Sequence, residues 1–401
     1  MNEWRSEMAE IRQIRADEME QVAALFNNAY RIGMTTARGW TENLPPEETI
    51  AVVETERVAS FVRMNRYRVW VGGGEMGMGG IGAVSTWADL QGKGYAGKLM
   101  RESVRIMRER GDAVSALYPF SHRYYGKFGW ASMGERIIYT DTRQDNLMPY
   151  EERALVRRCL GEEDIERLDT AYRTYALRFN GMVVRTRENW LRRLKHLMDE
   201  KGQAYLIEND GKPIGYFFCE NVAAQPWGYE CITRDFACAT PEAYPAMFGF
   251  LAMLPTNVTK ITITAPAFPP LIEHFKEPFF TMKWGVPLQY RVVDVERAVA
   301  ARGFLPEAHG RFIIAVQDTC GDWNTGMWEI EVQDGHGEAR RNPAARAELE
   351  MTIQQFSQLF MGHLDMVGLA RQGLFSSVSI QTLQLVNTLF HDRPVHLIDA
   401  F

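Results

Sequence analysis

Residues 83–100 read AVSTWADLQGKGYAGKLM and decide the fold. Strand-forming residues end near Thr86, a short loop follows, and helical spacing begins within the next ten residues. The loop matches the pattern Q/R-x-x-G-x-G/A, with Gln91, Gly94 and Ala96 at the three specified positions. The first turn of a helix leaves backbone amides unpaired, and the macrodipole adds about half a positive charge there. The segment therefore predicts a strand–loop–helix unit that binds a phosphate-bearing ligand.

A dinucleotide-binding fold is one alternative for this loop. The pattern G-x-G-x-x-G occurs at Gly77-Gly79-Gly82 and again at Gly92-Gly94-Gly97, but the first copy runs into a strand. Repeated strand–helix–strand units and an acidic residue at a strand end about 20 residues further on are missing. A glycine-rich turn also occurs in many α/β proteins without a phosphate ligand. The loop alone leaves both alternatives open.

A second motif follows about 30 residues later. A short strand at 115–118 precedes the run Tyr125-Gly126-Lys127-Phe128-Gly129-Trp130, which resembles the YxxxGF/Y end of the GNAT acetyltransferase fold. The resemblance implies two splayed strands, one ending at Val84–Thr86 and the other at Ser115–Leu117. The pantetheine arm of a coenzyme A thioester is expected to lie between them.

The rest of the chain predicts further units. Its 401 residues suit two to four domains. The runs VASFV and YRVWV within 57–70 predict two strands, and the glycine-rich segment 72–82 predicts a turn. After a linker at 145–152 the order of helices and strands repeats, without any residue-level repeat. The pattern predicts a mixed α/β (α+β) fold.

The whole chain resembles the Eis (enhanced intracellular survival) family. The resemblance is carried in the third region by PLQYRVVDVERAVAAR, DTCGDWNTGMWEI and LFMGHLDMVGLARQG. It implies two tandem GNAT-like mixed-sheet domains followed by a sterol-carrier-protein-like α+β domain. The expected boundaries are 1–145 for the catalytic GNAT domain, 146–288 for a degenerate second copy, and 289–401 for the third domain.

The same resemblance implies the site and the assembly. Tyr125 is expected to be the general acid, the C-terminal carboxylate of Phe401 the general base, and the assembly a homohexamer. The expected acetyl-CoA contacts are Val84, Ser85, Thr86, Gly92, Lys93, Gly94, Tyr95, Ala96, Gly97, Phe120 and Ser121. The second domain has no equivalent of the loop at 91–96, so no cofactor is expected there.

The chemistry fits these roles and leaves two alternatives. A phenol can donate a proton to a departing thiolate, and an α-carboxylate can take one, directly or through water, if burial raises its pKa. Tyr124 is adjacent to Tyr125 and is not excluded as the acid. His122 is a conceivable base.

Composition bounds the partners. A net charge of -6 and a pI near 5.9 disfavour nucleic acid and mildly favour cationic small molecules. Five scattered cysteines predict a reducing cytoplasm, the apolar runs are too short to span a membrane, and no histidine spacing predicts a metal.

We therefore expect an acetyl-CoA-dependent N-acetyltransferase acting on primary amines, with aminoglycosides, other polyamines and lysine side chains as candidate substrates. Relatives that acetylate aminoglycosides present several acidic residues around the amine, whereas Ala400 is penultimate here and Asp399 precedes it. The alternative is a non-catalytic scaffold that binds lipid through its third domain.

Overall fold

The computed structural model describes residues 9–42, 44–199, 202–224 and 227–401, so residues 1–8 of the expected first domain lie outside it. The first region contains, in chain order, β1 (Glu10–Gln13), α1 (Met19–Tyr30), α2 (Met34–Thr41), β2 (Thr49–Glu54), β3 (Arg57–Val71), β4 (Gly74–Thr86), α3 (Tyr95–Glu109), β5 (Val114–Leu117), α4 (His122–Gly126) and β6 (Ala131–Met133). The helices α3 and α4 follow the two strands that carry the sequence motifs.

Two predictions for this region are wrong. The segment predicted as two strands is the single strand β3, and the turn predicted over 72–82 is confined to Gly72 and Gly73, which have φ of 61° and 89°. The later glycines lie inside β4 because other side chains pack against its backbone. A Cβ on Gly79 would lie 2.1 Å from the sulfur of Met107, and one on Gly80 would lie 2.9 Å from the ring of Phe401.

The second and third regions follow in the same order of detail. The second contains β7 (Arg136–Thr142), β8 (Val156–Arg158), α5 (Ile165–Ala176), α6 (Arg187–Asp199), β9 (Gln203–Asn209), β10 (Lys212–Ala224), β11 (Gly228–Thr233), β12 (Phe236–Cys238), α7 (Ala243–Leu251), β13 (Val258–Pro266) and β14 (Thr281–Gly285). The third contains β15 (Leu288–Val292), α8 (Val295–Ala301), β16 (Gly310–Gln317), β17 (Gly326–Gln333), β18 (His336–Arg341), β19 (Leu349–Thr352), α9 (Ile353–Phe360), α10 (Met366–Arg371) and α11 (Ile380–Phe390).

Three mixed sheets organise these strands. The first has the order β1-β2-β3-β4-β5-β15-β6, the second β14-β7-β13-β11-β10-β9-β8 with β12 beside β10, and the third β18-β17-β16-β19. Each sheet contains one parallel pair, which is β4 with β5, β11 with β13, and β16 with β19. Strand β7 precedes the expected boundary at residue 145 and belongs to the second sheet, whereas β15 completes the first.

The core explains why these elements pack as they do. Helix α3 buries an apolar face, including Leu99, Val104 and Met107, against the first sheet. Buried side chains of β15 share one continuous core with the third sheet and its helices. The predicted α/β fold class, with two GNAT-like sheets and a third α+β unit, is confirmed.

Candidate active site

The start of α3 presents a row of unpaired amides. Gly94 caps the helix in the left-handed conformation, with φ of 80°, and the carbonyl of Gly94 accepts from Lys98 at 3.1 Å. The backbone amides of the loop and first turn have no hydrogen-bond partner among the described residues; they belong to Gly92, Gly94, Tyr95, Ala96 and Gly97. A Cβ on Gly92 or Gly94 would meet nothing within 4 Å, so the loop faces open space. These features fit a diphosphate group, which such amides bind.

Side chains around the loop anchor it. Tyr95 is buried against the first sheet, and Gly97 lies in ordinary contact with Phe128, 3.5 Å from where its Cβ would be. Lys93 pairs with Glu54 at 3.4 Å on the surface. The loop is thus fixed by its neighbours while its amides stay available.

The strands β4 and β5 separate where the thioester arm is expected. They pair in parallel only where Met78–Ile81 faces Val114–Leu117, and beyond this β4 continues to Thr86 beside β3 alone. The hydroxyl of Ser60 donates to the carbonyl of Ser85 at 2.8 Å and lies 2.7 Å from the hydroxyl of Thr86. Residues 82–86, including Val84, therefore offer backbone groups rather than free hydroxyls to the open side of the splay.

The helix after β5 holds the aromatic side chains of the second motif. Ser121 caps α4 by accepting from the amide of Tyr124 at 3.3 Å, and the ring of Phe120 is 72% exposed. Tyr125 is buried, and its hydroxyl makes no hydrogen bond within the described part of the chain. Burial, and then the neighbouring phenols of Tyr30 and Tyr124, raise the pKa of Tyr125. The phenol therefore stays protonated at neutral pH and is free to donate.

The alternative residues of this helix differ from Tyr125. Tyr124 lies in edge contact with Tyr125, with ring centroids 5.2 Å apart, and burial also raises its pKa. His122 is exposed, and its Nδ1 lies 2.6 Å from the hydroxyl of Ser132. The geometry leaves Tyr124 open as the acid and gives His122 a hydrogen-bonded position beside β6.

The C-terminus reaches the first sheet on the face opposite α3. The ring of Phe401 packs between Tyr67 and Tyr118, with centroid distances of 5.3 and 5.7 Å. The gap left by Gly80 admits this ring, and a Cβ on Gly82 would lie 3.3 Å from the carboxyl carbon of Phe401. The structure thus brings the terminal carboxylate to the point where β4 leaves β5.

A buried charge cluster, here called the tail anchor, holds this tail; it consists of Arg185, Arg193, Asp235 and Asp399. Arg185 donates to Asp399 at 3.1 Å and to Asp235 at 3.2 Å, and Arg193 donates to the same two carboxylates at 3.0 and 2.7 Å. Burial opposes the ionisation of Asp235, but the two guanidinium groups outweigh it and hold its pKa below the ordinary value. The tail anchor therefore joins the chain end to the second sheet and α6.

Sequence reasoning missed the tail anchor. Its members are separated by up to 214 residues, and no local pattern connects them. Asp399 drew attention only as a displaced carboxylate, and the structure places it against Arg185 rather than in an open site. The hydroxyl of Tyr118 also donates to the carbonyl of Asp399, at 3.0 Å.

The chain matches three known domain families. Residues 10–133 and 181–292 each match an acetyltransferase (GNAT) domain, and residues 295–398 match a sterol carrier protein domain. Together with the fold and the loop geometry, these matches define the chain as an N-acetyltransferase of the GNAT type, as predicted. The degenerate character of the second copy stays a prediction.

Relatives and solved structures agree with this class. An uncharacterized N-acetyltransferase of Streptomyces avermitilis is 22% identical and aligns over 83% of this chain and 84% of its own. The GCN5-related N-acetyltransferase of Anabaena variabilis is similar in fold, with a TM-score of 0.89 at 20% identity over 98% of this chain and all of the other. Eis1 of Mycobacterium abscessus is similar with a TM-score of 0.80 at 19% identity, over 98% of this chain and all of its own.

Two searches of the described residues were negative. No group of three or more His, Cys, Asp or Glu side chains in them is arranged to hold a metal ion. No helix in those ranges combines the length and apolar character needed to cross a bilayer.

Proposed function

We propose that this chain transfers the acetyl group of acetyl-CoA to a primary amine, as an Eis-like enzyme. The observation that carries the proposal is the row of unpaired amides at Gly92–Gly97, which opens toward solvent beside the unpaired edge of β4. Amides at a helix start bind a diphosphate, and a strand edge binds the amides of a pantetheine arm. Phe120 and Ser121, at the start of α4, are proposed to complete the binding surface.

The transfer needs one proton acceptor and one donor. The amine nitrogen forms the new C–N bond as the C–S bond breaks, the nitrogen loses a proton, and the sulfur gains one. We assign the first proton to the carboxylate of Phe401, directly or through water, and the second to the phenol of Tyr125. The raised pKa of Tyr125 keeps that proton available.

The substrates proposed from the sequence are aminoglycosides, other polyamines and lysine side chains. The apolar faces of the third region are buried in a core shared with the first sheet. This packing gives the lipid-carrier alternative no support.

A negative charge in the loop is expected to weaken acetyl-CoA binding. In Gly92→Asp, the added carboxylate lies beside the proposed diphosphate and repels it, so we expect the dissociation constant measured by calorimetry to rise about tenfold or more. An aspartate tolerates the φ of 86° at this position better than most side chains do.

The matched control is Gly111→Asp, at the other end of α3. Gly111 has φ of 94°, and a Cβ there would also meet nothing within 4 Å, so both variants carry similar backbone strain and the same charge. Affinity should be unchanged in Gly111→Asp. Equal affinities in the two variants, or no binding of acetyl-CoA to the unmodified protein, would reject the proposed loop.

We also propose a homo-oligomer, with a hexamer as the expected state, located in a reducing cytoplasm. The edge strand β14 exposes Met282 and Trp284, and Phe279 just before it is 77% exposed. The five cysteines are unpaired. Light scattering is expected to give six times the chain mass of 45.9 kDa, and Trp284→Glu to give a smaller particle. A monomeric unmodified protein would contradict this assembly.

A further inference from the structure

A cleft of about 700 Å³ lies beside the C-terminal tail. One wall is Tyr67 of β3, a second is the face of α6 that carries Arg192, Arg193 and His196, and a third is the tail at 398–400. The C-terminal ring contacts Tyr67, so the cleft opens next to the proposed proton acceptor. An amine that approaches the splay from this face passes through the cleft.

Every acidic side chain that lines the cleft is already paired. Asp235 and Asp399 belong to the tail anchor and each accept from both of its arginines. Glu220 lies 3.7 Å from Arg234, which also lines the cleft. Among the described residues, therefore, no lining carboxylate is left to bind the ammonium groups of a polycation.

One cation in the cleft is not paired. Arg192 is exposed and has no hydrogen-bond or ion-pair partner among the described residues. It lies one helical turn before His196, on the same face of α6. Burial raises the pKa of Tyr67, and the charge of Arg192 opposes that rise, which indicates that the guanidinium faces the cleft.

We propose that the amine acetylated by this protein carries an anionic group, a carboxylate in the first place, which Arg192 binds in the cleft. A guanidinium forms paired, charge-assisted hydrogen bonds with a carboxylate or a phosphate. His196 and Arg234 add donors on the same side, whereas a polycation meets an unpaired positive charge and no free acid. This inference rests on the proposed acetyl transfer and narrows its substrate class to anionic amines.

The test compares amines that differ only in the anion. Release of free coenzyme A from acetyl-CoA is measured with phenylalanine and phenethylamine, with lysine and cadaverine, and with kanamycin as a polycation. We expect kcat/KM to be about tenfold higher for the acid of each pair. Phosphoethanolamine against ethanolamine distinguishes a phosphate from a carboxylate as the bound anion.

Arg192→Ala assigns the preference to its residue. We expect the ratio of kcat/KM between acid and matched amine to fall about tenfold, and Arg192→Lys to retain part of it. Arg187→Ala is the control, because Arg187 is an exposed arginine at the start of α6 that pairs with Glu162 at 3.5 Å and does not line the cleft. Its ratio should equal that of the unmodified protein.

The outcomes separate this inference from the proposed function. Acetylation of kanamycin, cadaverine and phenethylamine at least as efficient as that of the acids overturns the inference alone, as does a ratio unaffected by Arg192→Ala. Absence of acetyl-CoA binding in calorimetry overturns the acetyl transfer and the inference together.

Discussion

Replacing Tyr125 by phenylalanine is expected to lower kcat for amine acetylation by about 100-fold to 1,000-fold, the usual contribution of a positioned general acid. The substitution removes one hydroxyl that makes no hydrogen bond within the described residues, so packing should be retained. The dissociation constant of acetyl-CoA is expected to stay within about twofold. Single-turnover rates and calorimetry measure the two quantities.

Tyr124→Phe is the matched control for this prediction. Tyr124 is the adjacent phenol, in ring contact with Tyr125 at 5.2 Å, and it is less buried. If the assignment is right, Tyr124→Phe keeps most of the turnover, whereas a reversal of the two effects would move the acid to Tyr124. Because burial raises the pKa of Tyr125, deprotonation of this phenol should not cause a decline in rate below about pH 10.

The sequence was sufficient for the part of the site that is local. The loop Gln91–Ala96 and the helix after it depend on glycines, a cap and an apolar face within about 20 residues, and the structure has α3 where this pattern predicts it. The glycines of β4 were misread because their role is set by distant residues. Met107 and Phe401 fill the space beside Gly79 and Gly80, and no pattern within 72–82 contains that information.

The tail anchor could not be predicted for the same physical reason. Ion pairs formed by a buried cluster depend on tertiary packing, and each member alone has the sequence context of an ordinary surface charge. Arg185 and Asp399 come from different regions and meet only when the tail crosses the second sheet. The position of Phe401 followed from family resemblance, and the contacts that hold it follow from the structure.

Asp399→Asn is expected to lower both the stability of the protein and its turnover. The change leaves Arg185, whose side chain is 0% exposed, with one carboxylate fewer, and breaking a buried pair in this way costs about 3–5 kcal/mol of unfolding free energy. The tail then loses its link to α6, so we expect kcat to fall about 100-fold while acetyl-CoA still binds. Denaturant titration and steady-state kinetics, run where the variant is folded, measure the two effects.

Deletion of Phe401 separates the positioning role of Asp399 from a merely structural one. The deletion keeps the tail anchor and moves the terminal carboxylate back to Ala400, so the loss of unfolding free energy should be smaller than in Asp399→Asn while kcat falls comparably. Because an amine needs no base once it is neutral, the loss of kcat in both variants should shrink as the pH rises toward the pKa of the amine. Asp399→Asn acts through the position of that carboxylate only if its pH profile follows that of the deletion. A loss of kcat independent of pH in Asp399→Asn would leave the tail anchor as a stabilising cluster without a part in the transfer.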